Sequence, residues 1–158
     1  MKNNDTFTII VDTREQQPWE FTEFAVANKK LDTGDYSIEG LEDIFTIERK
    51  RTVSEIAGNI SEKRFINELE RMIPYKHKFI LMEFTLNNLL DYPVGSTVPK
   101  RLWNTLKITG KYLLKYLTDI SIKYDVHIIY CGSKDNAEEM ALSIMKRMVE
   151  TYGRPKED

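Results

Sequence analysis

Apolar positions along the chain follow two rhythms, and each predicts its own kind of element. Residues 6–11 are β-branched or aromatic almost throughout and predict a strand with Asp12 at its exit. Ile44-Phe45-Thr46-Ile47 predicts another strand, which runs without a turn signal into Glu48-Arg49-Lys50. Between them, Gly34-Asp35-Tyr36, the short run Ser37-Ile38 and the turn-like Glu39-Gly40-Leu41-Glu42-Asp43 read as a hairpin that carries Asp35 back toward Glu48. Residues 78–84 are nearly continuously apolar, which suggests a strand buried on both faces, and residues 126–131 form one more.

The second rhythm has spacings of three and four. Residues 51–59 predict one or two helical turns. Phe65, Leu69, Met72 and Ile73 give the apolar face of a helix capped by Ser61 and ended by Pro74. Trp103, Leu106, Leu113, Leu117, Ile120 and Tyr124 predict one long helix from Pro99 to Tyr124. A last helix turns Ala137, Ala141, Ile144, Met148 and Tyr152 inward, starts on a capping box of Asp135 with Glu138, and stops at Gly153. Residues 87–99 read as a surface loop, and Trp19 with Phe21 as an apolar plug over the sheet. Strands followed by alternating helices and strands predict an α/β sandwich around a central mixed sheet.

Composition narrows this further. At 158 residues the chain makes one domain, residues 1–158, large enough to bury a core unaided. A formal net charge of −2 advertises no polyanion partner, so any affinity for nucleic acid has to come from local patches. The single cysteine, Cys131, excludes an internal disulfide, and the isolated His77 and His127 argue against zinc. With no apolar run of membrane length and no signal-peptide pattern, the expected location is intracellular: cytoplasmic or nucleoid-associated, not secreted and not at a membrane.

The chemistry gathers where charge ends a buried strand. Side chains alternate faces, so Glu48 and Lys50 share one face about 7 Å apart and Arg49 takes the other. A carboxylate and an ammonium so placed can hold a metal and a water side by side, and the hairpin adds Asp35. Taken alone, Glu48-Arg49-Lys50 is as readily a solvated strand end. Its setting changes that. In order and spacing, Val11-Asp12-Thr13-Arg14-Glu15, Gly34-Asp35-Tyr36 and Glu48-Arg49-Lys50 resemble the nuclease domain of the XPF family of structure-specific endonucleases, a branch of the restriction-endonuclease-like superfamily.

That resemblance implies a restriction-endonuclease-like three-layer sandwich and a Mg²⁺-dependent endonuclease, with Mn²⁺ able to substitute. It implies branched, flapped or forked DNA as the partner, in repair, recombination or replication. Asp35 and Glu48 are the expected main metal ligands, with Asp12 ligating or supporting a second ion; Lys50 completes the catalytic set. Arg14, Arg49, Arg51, Lys63 and Arg64 are the candidate DNA contacts, Arg14 and Arg49 alternatively pairing internally with Glu15. The family pattern puts an aspartate four residues after the lysine, where this chain has Ser54; Glu55 follows at once and could take the acidic place. The chain ends at Asp158 with no tandem helix-hairpin-helix region, so a stand-alone form is expected, as a homodimer or with a separate DNA-binding partner. Lys100, Lys107, Lys111 and Lys115 lie along one flank of the long helix, as a solvated face or a phosphate-facing ridge. The rival accounts are a non-catalytic DNA-binding or scaffold subunit on the nuclease fold, and an RNA- or protein-binding module without nuclease activity.

Overall fold

The computed structural model describes residues 7–153; the polar lead-in at residues 1–5, the first residue of the expected strand at Thr6, and the last five residues lie outside that range. Six strands form one mixed sheet in the order β2-β1-β3-β4-β5-β6. They are β1 (Thr8–Val11), β2 (Ala25–Asn28), β3 (Tyr36–Ile38), β4 (Phe45–Lys50), β5 (His77–Met82) and β6 (His127–Tyr130). β3 runs antiparallel to β1 and to β4, while β4, β5 and β6 are parallel, as is the β1–β2 pair. Edge strand β2 carries no pattern to find it by: its four residues, Ala-Val-Ala-Asn, are mostly exposed.

Helices cover both faces and make the expected three layers. Ile80, Met82 and Val126 look toward α1 (Val53–Asn59), α2 (Lys63–Met72), α3 (Leu86–Leu90) and α4 (Gly110–Tyr124). Ile9, Val11, Phe45, Ile47 and Leu81 look the other way, toward α5 (Lys134–Tyr152) and the buried Trp19 and Phe21, the plug read from the sequence. Burying alternate strand residues on opposite faces is what period-two side-chain geometry requires.

Several expected boundaries move. The long helix from Pro99 to Tyr124 is two pieces, a 3₁₀ segment Lys100–Thr105 and α4, with residues 106–109 between them. Thr109 caps α4 by accepting from the Tyr112 N–H, and a Cβ on Gly110 would lie 2.2 Å from the Leu90 carbonyl oxygen. The break therefore lets α4 begin hard against the end of α3, and the lysines at 100 and 107 leave the flank of Lys111 and Lys115. The 87–99 loop gives its first residues to α3, capped by Thr85 and Asn88 in a reciprocal box. α2 starts from Glu62; the Ser61 hydroxyl bonds back to the Gly58 carbonyl instead. α5 is capped by Ser133, whose hydroxyl accepts the Asn136 N–H at 3.1 Å, and not by Asp135; Glu138 instead accepts the Phe21 N–H at 2.9 Å. Met145 rather than Ile144 is the buried residue of that turn.

Candidate metal centre

The site forms where the start of β3 pairs with β4, and the chain crosses closely over β4 just before it, at Gly34. Gly34 makes the crossing possible: its φ is +82°, and a Cβ there would fall 1.9 Å from Thr46 Oγ1. The Asp35 N–H then donates to the Ile47 carbonyl at 2.8 Å, and Asp35 Oδ2 accepts the Arg49 N–H at 2.8 Å. The hairpin thus sets Asp35 beside Glu48, as its sequence suggested. With Phe45 and Ile47 packed toward α5, alternation turns Glu48 and Lys50 toward α1 and α2. Lys50 Nζ lies 3.5 Å from Glu48 Oε1, 2.8 Å from Asn59 Oδ1 and 3.8 Å from Glu55 Oε1, over the ring of Phe65.

These groups open on a cleft of about 460 Å³ lined by Glu15, Asp35, Glu48, Glu55, Glu62 and Glu68 against Arg49, Lys50, Arg51 and Arg64. Six acids against four bases leave the lining negative, and the two innermost acids feel it most. Burial, with the charge of Glu15 added, pushes the Asp35 carboxyl up to about 6 although the Arg49 N–H pulls the other way. Burial and then the Asp35 charge hold Glu48 well above the usual carboxylate range, against the attraction of Lys50. The Lys50 ammonium offsets part of this crowding of negative charge, and the two acids leave oxygen donors facing the cleft. Hard oxygen donors in this number suit Mg²⁺, which keeps several of its waters and needs only one or two carboxylates.

Asp12 lines a smaller hollow beside the cleft together with Asp35 and Glu48, with its carboxylate engaged by neighbouring donors. Among the described residues no three acidic, histidine or cysteine side chains gather around a single point. The Asp12 oxygens are occupied: Oδ2 accepts from Arg14 Nε at 2.7 Å and from its backbone N–H, and Oδ1 from Arg14 Nη2 and the Leu31 N–H. Burial alone would raise its pKa, but those hydrogen bonds outweigh it and the net shift is downward. Asp12 stays an ionised partner of Arg14.

Arg49 is held inside the fold. Its guanidinium is 3% exposed, binds Glu83 through Nε at 2.6 Å and Nη2 at 3.2 Å, donates to the Gln17 carbonyl at 2.6 Å, and lies over Trp19. The internal alternative holds, with Glu83 as the main partner and Glu15 farther off at 3.8 Å. Arg14, Arg51 and Arg64 do reach the cleft or the smaller hollow beside it, whereas Lys63 is exposed on α2 and lines neither. Of the two residues at the family's last acidic place, Glu55 lines the cleft and accepts the Arg51 N–H at 3.0 Å, while Ser54 is exposed on another side.

Four contributors went unread in the sequence. Asn59 holds Lys50; Glu68, one helical turn after Arg64, lines the cleft; Arg71 lines the adjoining hollow; Glu83 anchors Arg49. Glu83 had a signal, since it ends a buried strand in the way Glu48 does.

A mixed six-stranded sheet between helical layers, with paired acids and a lysine at the end of its central strands, defines a nuclease-type α/β sandwich. More narrowly, the ERCC4 domain family matches residues 11–144, and the chain belongs to that family. The fold is similar to that of XPF from Aeropyrum pernix (TM-score 0.64, 19% identity), over 90% of this chain and 65% of the other. It is similar also to the same archaeal protein in complex with DNA (TM-score 0.64, 18% identity), over 95% of this chain and 68% of the other. The chain therefore spans about two thirds of the length of these XPF structures. No curated protein matches it. Among the described residues no helix is long and apolar enough to cross a membrane.

Proposed function

We propose that this domain is a metal-dependent endonuclease that hydrolyses phosphodiester bonds in branched, flapped or forked DNA. One observation carries the reading: Asp35, Glu48 and Lys50 line the same negatively lined cleft, with Lys50 Nζ 3.5 Å from Glu48 Oε1. Asp35 and Glu48 would hold Mg²⁺, or Mn²⁺ in its place. Such an ion, when bound, offsets the charge of the phosphate and stabilises the leaving oxygen. The Lys50 ammonium, fixed by Glu48 and Asn59, stabilises charge developing on the phosphate and orients the attacking water. Arg14, Arg51 and Arg64 on the rims offset the backbone charge of an incoming strand. A match to a structure described as a complex with DNA supports nucleic acid as the partner, and family membership supports cleavage as the activity.

The test is a panel of end-labelled flaps, forks, four-way junctions and plain duplex, with Mg²⁺ and with chelator. Cleavage that needs the metal and favours the branched substrates is expected. Loss of no activity on chelation, or no cleavage of any substrate, sinks the proposal. In the second case a DNA-binding scaffold on the same fold takes its place.

A further inference from the structure

A second hollow, about 200 Å³, lies across the end of β4 from the cleft. The two share one residue: Lys50 lines the cleft, Thr52 lines the hollow, and Arg51 between them lines both. Their linings differ in kind. Charged groups dominate the cleft, whereas the hollow is walled by Tyr92, Val94 and the buried ring of Phe84. Two hydrogen-bonding groups on its wall are unspent among the described residues. Asn88 uses Oδ1 to accept the Thr85 N–H and leaves its amide NH₂ without a protein partner, and the Ser54 hydroxyl has none either. Val94 is 59% exposed, an uncovered apolar wall.

We propose that this hollow receives an unpaired nucleobase of the DNA strand whose backbone crosses the cleft, an inference that rests on the function proposed above. A hollow that sets aromatic and aliphatic side chains among hydrogen-bonding ones suits a base, which has an apolar body and hydrogen-bonding edges. Its volume is below the roughly 300–1,000 Å³ of pockets for drug-sized ligands, which limits the occupant to about one ring system. Arg51, which lines both spaces and whose guanidinium donates to Glu15 Oε1 at 3.0 Å on the cleft side, links the occupant to the strand in the cleft. A peptide side chain would satisfy the apolar wall but leaves that link to the cleft unexplained. The consequence is selectivity for DNA with a splayed, unpaired nucleotide next to the bond in the cleft, because a base held in duplex cannot enter.

The experiment scans an abasic site through the nucleotides flanking the junction of a splayed-arm DNA. Binding is measured with chelator present so that nothing is cut. The same positions are then filled with 2-aminopurine. Loss of the base at one position should weaken binding about fivefold or more, the scale of one lost stacking contact. 2-Aminopurine at that position alone should change its emission on binding. In Val94→Glu, a change at an exposed site, the scan should become flat. A flat scan with the unaltered protein, or an unchanged scan in Val94→Glu, overturns the inference. Cleavage of the intact substrates in Mg²⁺ separates the two ideas: cutting with a flat scan removes the base pocket alone. A position-dependent scan without cutting keeps the pocket and removes the nuclease.

Discussion

At the scale of single residues, the protein's electrostatics turn on two partly buried carboxyls in the cleft, Asp35 and Glu48. Asp35 has a folded-state pKa of about 6 against a reference of 3.8, so the folded state holds its proton more firmly. Its contribution to stability is therefore fully present below about pH 4 and lost as pH rises through about 6. In metal-free protein the melting temperature of Asp35→Asn, which cannot ionise, should gain on the wild type as pH rises from 4 to 7. Saturating Mn²⁺ should cancel that gain by stabilising the wild type alone. A difference that is constant with pH contradicts the assignment. Lys50 invites a second comparison. Lys50→Ala keeps both carboxylates, so it should still bind Mn²⁺ in a calorimetric titration while losing cleavage by about a hundredfold or more, the usual scale for one preorganised charge-stabilising group.

Elements hold these residues in register, and here the sequence spoke unevenly. The hairpin from Gly34 to Glu48, the alternation of Glu48, Arg49 and Lys50, and the plug of Trp19 and Phe21 were all legible, because period-two burial and a positive-φ glycine leave marks in a single sequence. β2 left none, being short and exposed at an edge. The broken helix before Gly110 was missed because its apolar spacing continues across the break, while the cause is contact with α3, far away in sequence. Motif order likewise cannot show that Arg14, two residues on, engages both oxygens of Asp12. Two elements' worth of strain can be measured. Gly34→Ala forces a left-handed backbone on a residue with a Cβ and a clash with Thr46, so it should lose about 2 kcal/mol or more in urea unfolding. Glu83→Ala strips Arg49 of its partner inside the sheet and should lose about 3 kcal/mol or more, whereas Glu83→Gln, which still accepts from Trp19 and Arg49, should lose less.

For the whole molecule, a net charge of −2 and a negatively lined cleft make an unpromising partner for DNA, and that is informative. The rim arginines carry the positive side of the encounter, and Arg64 is the most exposed of them, at 82% of its side chain. Arg64→Ala should weaken DNA binding similarly on all substrates and lower the slope of log affinity against log salt by about one, measured by fluorescence anisotropy. An unchanged slope removes Arg64 from the interface. Inside the cleft the balance is different: six acids face four bases, and on the proposed function a bound cation would offset that excess before a phosphate approaches.

Whether Asp35 and Glu48 share a divalent ion is read most directly by calorimetric titration of Mn²⁺ into the wild type, Asp35→Asn and Glu48→Gln. The wild type should show a site whose affinity drops at least tenfold in either variant, with circular dichroism showing all three folded. Variants that bind Mn²⁺ as tightly as the wild type would contradict the pair as its ligands.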